Sequence, residues 1–145
     1  MAKVEDIMTN DLASVNPSTP IVEVAQKMRD NGLSTIPVCE NGKLRGLITE
    51  KSIVAKIVAA GHNPKRERAE TLMVNGGPKV SYGCDAVEAA KIMANHGVRC
   101  LPVVQNGGKL VGILTLDDIV KESMVLATMV LATSNGTGSS KSSKK

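Results

Sequence analysis

A threonine and an aspartate one helical turn apart are the residues whose types and spacing best suit ligand binding. The segment Gly112-Ile113-Leu114-Thr115 is followed three residues later by Asp118, which gives the pattern G-h-h-T-x-x-D, where h is hydrophobic. Backbone N–H groups at the start of a helix attract phosphate, and a threonine hydroxyl can join them. A carboxylate can accept hydrogen bonds from the two vicinal hydroxyls of a ribose. The pattern therefore indicates nucleotide binding or, in the alternative interpretation, only the capping of a helix.

A partial copy of this pattern lies earlier in the chain. Gly46-Leu47-Ile48-Thr49 repeats the strand ending, but Ser52 stands where the later copy has its aspartate. A serine hydroxyl lacks the charge that strengthens hydrogen bonds to a ribose. We therefore expect this second site to be weaker, empty or used by a different ligand.

Residues for catalysis or metal binding are not grouped in the sequence. Cys39, Cys84 and Cys100 form no CxxC pair, and His62 and His96 have no Cys, Asp or Glu at ligand spacing. No Ser/His/Asp or Cys/His arrangement for nucleophilic catalysis is visible. We therefore expect no enzymatic activity, no metal and no catalytic cofactor. Three unpaired thiols indicate a reducing cytoplasm.

The composition excludes several classes of protein. The chain has 145 residues, of which 42% are hydrophobic and 22% charged, and this excludes disorder of the whole chain. Tyr82 is the only aromatic residue, so single-stranded nucleic acid cannot stack its bases on aromatic platforms. No apolar run of about 18 residues is present, and we expect no membrane segment.

The basic charge lies mostly at the end of the chain. The net charge is +4, but Lys141, Lys144 and Lys145 lie in a Ser- and Gly-rich tail, so the rest of the chain carries only +1. A near-neutral body is weak evidence for a nucleic-acid partner. Nucleic-acid binding through this tail and the basic linker at Lys65–Arg68 is the alternative function, and it predicts an affinity that falls steeply with salt.

An internal repeat positions the two patterns. A shift of 65 residues places Val15–Gly42 on Val80–Gly107, and a shift of 66 places Lys43–Val54 on Lys109–Val120. The hydrophobic periodicity predicts the order β-α-β-β-α in each copy. The predicted elements are a strand (Ala13–Asn16; Lys79–Ser81), a helix (Pro20–Asn31; Asp85–His96), two strands (Thr35–Glu40 and Lys43–Thr49 in the first copy) and closing helices that begin near Glu50 and Leu116.

Local signals mark the ends of these elements. Asn41-Gly42 is a dipeptide favoured in two-residue hairpins. Gly32 and Gly97 suit the left-handed residue that ends a helix. Asp85 with Glu88 three residues later predicts a capping box.

Neither copy of about 50 residues can bury a sufficient core alone. We therefore expect an α+β fold in which two β-α-β-β-α motifs pack as one pseudo-twofold symmetric domain. The expected boundaries are motif 1 at residues 1–62, a linker at 63–72, motif 2 with an extended closing helix at 73–132, and a disordered tail at 133–145. The stretch Met124–Ala132 is apolar nearly all round, which indicates a contact with a second copy and hence a homodimer.

The doubled unit resembles the CBS-domain family, whose tandem motifs form a Bateman module. The resemblance covers about Met8–Val120, and it rests on the repeated unit, on Gly-h-Pro-Val before each hairpin (Gly32 … Ile36-Pro37-Val38; Gly97 … Leu101-Pro102-Val103) and on G-h-h-T-x-x-D. Such modules bind an adenosine nucleotide (AMP, ADP or ATP) or S-adenosylmethionine between the two motifs. The resemblance therefore implies a regulatory sensor in the cytoplasm, whose signal passes to an unidentified protein target.

The resemblance also implies which residues bind this ligand. Thr115 contacts phosphate or ribose, and Asp118 holds the ribose hydroxyls, while the opposite motif forms the wall around the base. The residues implied for that wall are Thr9, Asp11, Ala13, Leu33, Ser34, Thr35 and Pro37. The residues implied for the weaker second site are Thr49, Ser52, Val98, Arg99 and Cys100.

Overall fold

The computed structural model describes residues 2–10 and 13–132. They form two compact units. The N-terminal unit contains Ala13–Gly77 and Gly107–Leu110, and the C-terminal unit contains Pro78–Asn106 together with residues 2–10 and 111–132. Asp11 and the predicted tail lie outside the described residues. Among the helices that are described, none is long and apolar enough to cross a membrane.

Helices and strands follow the predicted repeat. In chain order the helices are α1 (Val4–Ile7), α2 (Ile21–Asn31), α3 (Glu50–Ile53, continued by a π-helical turn over Val54–Val58), α4 (Ala69–Leu72), α5 (Ala86–His96), α6 (Leu116–Glu122) and α7 (124–132). The strands are β1 (Thr35–Glu40), β2 (Lys43–Thr49), β3 (Val80–Ser81), β4 (Cys100–Gln105) and β5 (Lys109–Thr115). The predicted mixture of helices and strands is confirmed.

In the N-terminal unit, β1 and β2 form an antiparallel hairpin that places Thr35 opposite Thr49. The turn residues Asn41 and Gly42 have φ angles of 54° and 79°. A two-residue hairpin turn of this type requires positive φ at both positions, and this explains the Asn-Gly pair. The predicted hairpin is confirmed.

The predicted strand over Ala13–Asn16 is wrong in extent, because it is reduced to a single parallel bridge. Val15 N donates to the carbonyl oxygen of Pro37 (3.1 Å), and Cys39 N donates to the carbonyl oxygen of Val15 (2.8 Å). Residues 17–18 then form a turn, which ends the pairing with β1.

The core of the N-terminal unit includes a part of the predicted linker. Ala69 and Leu72 of α4 are buried together with residues of α2 and of the hairpin, namely Ile21, Val24, Met28, Ile36, Val38 and Ile48. Ala69 N also donates to the carbonyl oxygen of Thr19 (2.8 Å). Residues 63–72 are therefore joined to this unit by packing and hydrogen bonds.

In the C-terminal unit, β3 pairs in parallel with β4, and β4 lies between β3 and β5. The core of this unit includes Ala89 and Met93 of α5, Leu101 of β4 and Leu114 of β5. Val4 of α1 is fully buried in the same core, and its backbone N–H donates to the carbonyl oxygen of Cys84 (2.8 Å). The start of the chain thus belongs structurally to the second repeat.

The predicted capping box of Asp85 and Glu88 is wrong. Asp85 precedes α5, but its side chain makes no capping hydrogen bond, and its carboxylate instead lies 3.1 Å from Nζ of Lys3. The lysine, which precedes α1, attracts the carboxylate away from the helix end. The left-handed residues that end α2 and α5 are as predicted, since Gly32 and Gly97 have φ angles of 64° and 65°.

Helix α7 is buried by its own unit, which corrects the inference drawn from its apolar sequence. Leu126, Ala127 and Val130 lie in the core of the C-terminal unit, with at most 7% of each exposed. Met124 and Val125 are large apolar residues of this helix that are exposed, at 66% and 79%. An intersubunit contact is therefore not needed to explain the buried face of α7.

Candidate functional site

Thr115 and Asp118 form a reciprocal capping box where β5 ends and α6 begins. Asp118 N donates to Oγ1 of Thr115 (3.2 Å), and Thr115 N donates to Oδ2 of Asp118 (2.9 Å). Both residues are half-buried. This reciprocal pair therefore caps α6. It also fixes the carboxylate at the start of the helix, with one of its two oxygen atoms engaged.

The start of β4 lies beside this junction. Leu116 N donates to the carbonyl oxygen of Arg99 (2.8 Å). The neighbouring Cys100 has a pKa raised to about 11, first by burial and second by the negative charge of Asp118. Its thiol is therefore uncharged at neutral pH. Val98 packs partly buried against the core of the same unit.

The segment before the first repeat runs along β5 of the second. Thr9 N donates to the carbonyl oxygen of Ile113 (2.8 Å), and Ile113 N donates to the carbonyl oxygen of Thr9 (3.0 Å). The preceding Met8 packs on Gly112, where a Cβ atom would overlap the methionine side chain. The glycine of the G-h-h-T pattern thus leaves room for the Met8 side chain. Thr9 itself is exposed and pairs with Ile113, two residues before the end of β5.

The N-terminal unit repeats this arrangement around β2. Leu47 N donates to the carbonyl oxygen of Val74 (3.2 Å), and Val74 N donates to that of Leu47 (2.9 Å). A Cβ atom at Gly46 would lie 2.8 Å from the Val74 carbonyl oxygen. Gly46 and Gly112 therefore have the same structural role in the two repeats.

Thr49 and Ser52 form the corresponding capping box at the start of α3. Ser52 N donates to Oγ1 of Thr49 (3.1 Å), and Thr49 N donates to Oγ of Ser52 (3.2 Å). The Ser52 hydroxyl also donates to the carbonyl oxygen of Thr49 (2.7 Å). The hydroxyl hydrogen of Ser52 and one lone pair of its oxygen thus already form hydrogen bonds with Thr49.

Of the remaining predicted residues of the N-terminal unit, Ser34 lies at this junction. The carbonyl oxygen of Ser34 accepts from Glu50 N (2.9 Å), which joins the start of β1 to the start of α3. Ala13 and Leu33 pack partly buried against the core, whereas Pro37 is buried within β1. Ser34 is therefore the accessible polar residue of this group.

Each predicted site draws residues from both units. The C-terminal unit holds Thr9, Val98, Arg99, Cys100, Thr115 and Asp118. The N-terminal unit holds Ala13, Leu33, Ser34, Thr35, Pro37, Thr49 and Ser52. Across residues 2–10 and 13–132, no group of three or more His, Cys, Asp or Glu side chains could hold a metal ion, and the three cysteines are free thiols.

Comparison with known proteins identifies the family. The model of the CBS domain matches this chain twice, at residues 4–59 and 70–125. The chain belongs to the CBS-domain family. The two matches make it a tandem CBS-domain protein, and they confirm the resemblance seen in the repeat and its motifs.

Two relatives are similar along most of this tandem CBS-domain chain. The protein MK0525 of Methanopyrus kandleri is 36% identical over 128 residues, which are 87% of this chain but only 65% of that protein. The CBS domain-containing protein YhcV of Bacillus subtilis is 35% identical over 127 residues, covering 86% of this chain and 87% of the relative.

A solved structure with a bound ligand is also similar to the tandem CBS-domain chain. It is the structure of CBSX2 of Arabidopsis thaliana in complex with AMP, which is 26% identical and has a TM-score of 0.74. The similarity covers 84% of this chain and 96% of CBSX2. The two proteins thus share the fold over nearly the whole length of CBSX2.

Proposed function

We propose that this tandem CBS-domain protein is a non-enzymatic regulatory module that binds an adenosine nucleotide or S-adenosylmethionine through Thr115 and Asp118. The observation that carries the proposal is the Asp118 carboxylate, which the capping box fixes at the start of α6. A fixed, half-buried carboxylate is suited to accept charge-assisted hydrogen bonds from a ribose diol. The similarity to CBSX2, whose structure contains AMP, supports this ligand class.

Ribose recognition explains the site better than phosphate recognition does. Two of the first three N–H groups of α6 already have acceptors: Leu116 N donates to the Arg99 carbonyl oxygen (2.8 Å), and Asp118 N to the Thr115 hydroxyl (3.2 Å). The start of this helix therefore has little capacity left for a phosphate. A ribose is common to adenosine nucleotides and S-adenosylmethionine, so both belong to the proposed class.

The junction at Thr49 and Ser52 is proposed as the weaker site. Its serine hydroxyl already donates to the carbonyl oxygen of Thr49 (2.7 Å) and accepts from Thr49 N (3.2 Å). A ribose hydroxyl must compete with these bonds and gains no charge-assisted contact. Occupancy at this junction thus requires a higher ligand concentration.

The module is also proposed to act as a homodimer in the cytoplasm, where its three free thiols stay reduced. Apolar side chains at the C-terminal helices support this, because Met124 and Val125 are 66% and 79% exposed. Exposed apolar surface of this kind is typical of contacts between proteins. Ligand binding would then be transmitted to a target protein.

A thermal-shift screen tests the ligand class. The panel contains AMP, ADP, ATP, NAD and S-adenosylmethionine, and a true ligand at 100 times its Kd raises the free energy of unfolding by about 2.7 kcal/mol. We expect at least one of them to raise the melting temperature of the unmodified protein, and Asp118→Ala to lose about half of that shift or more. Equal shifts for the two proteins, or no shift with any compound, would contradict the proposal.

Two further measurements address the competing functions. Hydrolysis of ATP by the purified protein would favour an enzyme. Binding of single- or double-stranded DNA that weakens steeply with salt and is lost on removal of residues 133–145 would favour the nucleic-acid alternative.

A further inference from the structure

The C-terminal unit contains a cavity that shares no residue with the proposed nucleotide site. Its volume is about 340 Å³, and it is lined by Ser81, Tyr82, Val104, Gln105 and Asn106. Ligand-binding cavities in proteins have volumes of about 300–1,000 Å³. The cavity is thus large enough for one small ring.

The cavity lies at the carboxyl ends of two adjacent parallel strands. Ser81 ends β3 and is paired with Val104 of β4, and Tyr82 N donates to the carbonyl oxygen of Val104 (2.8 Å). The strands are joined by α5, so they form a β-α-β unit. In such units ligands bind outside the carboxyl ends of the strands, where side chains of both converge.

The polar side chains that line the cavity are not engaged elsewhere. Within residues 2–10 and 13–132, the side chains of Ser81, Tyr82, Gln105 and Asn106 have no hydrogen-bond or ionic partner. Tyr82 is the only aromatic residue of the chain and is 46% exposed. One hydroxyl, one phenol and two carboxamides are therefore free to contact a ligand.

The first repeat lacks this lining. Its residues at the positions of Tyr82 and Gln105 are Pro17 and Glu40, and Glu40 forms an ion pair with Arg45. In the second repeat the position of that arginine is occupied by Val111. The aromatic ring and the uncharged carboxamide are thus specific to the second repeat. Gln105 forms no ion pair of the kind that Glu40 forms with Arg45.

We propose that this cavity binds the ring of a neutral sugar. No carboxylate, ammonium or guanidinium group lines it, so a charged ligand would find no opposite charge. The carboxamides of Gln105 and Asn106 each offer donors and an acceptor, which match the hydroxyl pairs of a sugar. The aromatic ring of Tyr82 can pack against the C–H groups on one face of a sugar ring.

A purine or pyrimidine base fits this lining less well than a sugar does. A base is apolar on both faces, whereas the cavity has one aromatic wall, and its other lining residues apart from Val104 are polar. One face of a bound base would stay in contact with water. The experiment therefore includes a nucleoside as the competing ligand.

Tyrosine fluorescence measures binding at this cavity directly. Because the chain has no Trp and no Phe, all aromatic emission comes from Tyr82. The full-length protein is titrated with glucose, galactose, ribose and maltose, and with glucose 6-phosphate as the charged comparison. Adenosine, which absorbs ultraviolet light, is followed by calorimetry in Asp118→Ala, which weakens the proposed nucleotide site, and in the double variant Asp118→Ala/Gln105→Ala. A difference between these two variants reports adenosine binding at the cavity.

We expect a saturable change of emission with at least one neutral sugar. Gln105→Ala should weaken this binding by about tenfold or more, whereas Glu40→Ala, the matched change in the first repeat, should leave it within about twofold. By calorimetry, Tyr82→Phe should keep the affinity within about threefold, and Tyr82→Ala should lose it. All four changes lie at exposed positions, and unchanged melting temperatures will verify folding.

Three results would overturn the proposal. One is the absence of a saturable change with every neutral sugar of the panel. Another is equal affinity in Gln105→Ala and in the unmodified protein. The third is that glucose 6-phosphate, or adenosine in a form that Gln105→Ala abolishes, binds more tightly than any neutral sugar.

Discussion

The amide of Thr115 donates to Oδ2 of Asp118 at 2.9 Å, while the amide of Asp118 donates to the Thr115 hydroxyl at 3.2 Å. The aspartate thus caps a helix and, in the proposed function, also binds ribose. A change at this position alters both stability and affinity. Variants must therefore separate these two effects.

Asp118→Asn and Asp118→Ala make that separation. Asparagine keeps an oxygen for the Thr115 amide but lacks the charge, so it should keep most of the stability and still bind an adenosine nucleotide about tenfold more weakly. Alanine also removes the acceptor of the Thr115 amide, which should lower the unfolding free energy by about 1 kcal/mol. It should weaken binding by about 10- to 150-fold. Calorimetric titration and urea denaturation measure the two quantities.

Ser52→Ala is the matched control in the first repeat. It removes the hydroxyl that accepts from Thr49 N and should lower stability by a similar amount, but it should leave nucleotide affinity within about twofold. Equal losses of affinity in Ser52→Ala and Asp118→Ala would refute the assignment of Asp118 as the ribose ligand.

Gly46 and Gly112, which begin the two G-h-h-T segments, should differ in how well they tolerate substitution by alanine. A Cβ atom at Gly46 meets the Val74 carbonyl oxygen at 2.8 Å, and backbone atoms held by hydrogen bonds cannot easily move. A Cβ atom at Gly112 meets the side chain of Met8, which can change its rotamer. Urea denaturation should show a loss of about 1–3 kcal/mol for Gly46→Ala and a smaller loss for Gly112→Ala.

Gly77→Ala is the control for these two variants, because nothing lies within 4 Å of a Cβ atom at that position. Its stability should stay close to that of the unmodified protein. A loss for Gly112→Ala as large as that for Gly46→Ala would show that Met8 cannot rearrange.

Cys100 should make the stability fall in alkaline solution. Its folded pKa is raised from 9.0 to about 11, so the thiol ionises first in the unfolded chain as the pH rises. The unfolded state is favoured progressively between pH 9 and pH 11, by on the order of 3 kcal/mol at most. Urea denaturation under reducing conditions at pH 8 and pH 11 should show a steeper loss for the unmodified protein than for Cys100→Ala. Parallel pH profiles for the two proteins would argue against this effect.

We expect the proposed homodimer to depend on the exposed residues of α7 rather than on its buried ones. Val125→Lys places a charge on a side chain that is 79% exposed, and it should give a folded monomer by light scattering at tens of micromolar. Leu126→Lys buries a charge in the core and should lower the melting temperature sharply. A monomeric unmodified protein, or an unchanged dimer in Val125→Lys, would contradict the proposal.

Structural features that depend only on neighbouring residues in the chain can be predicted from the sequence. Helices α2 and α5 end at Gly32 and Gly97 as expected, because a left-handed terminal residue is a property of the residue itself. The hairpin turn at Asn41-Gly42 follows for the same reason. Asp85 was mispredicted because its partner, Lys3, lies 82 positions away in the chain and no local pattern indicates it.

The sequence by itself determined the repeat, the order of the elements and the G-h-h-T-x-x-D pattern that identifies the family. These depend on periodicity and on spacings of a few residues. Only the tertiary structure decided which face of α7 is buried, that Cys100 lies beside Asp118, and that Tyr82 shares a cavity with Gln105 and Asn106. Such relationships arise when distant segments pack together, because burial and charge act through space and not along the chain.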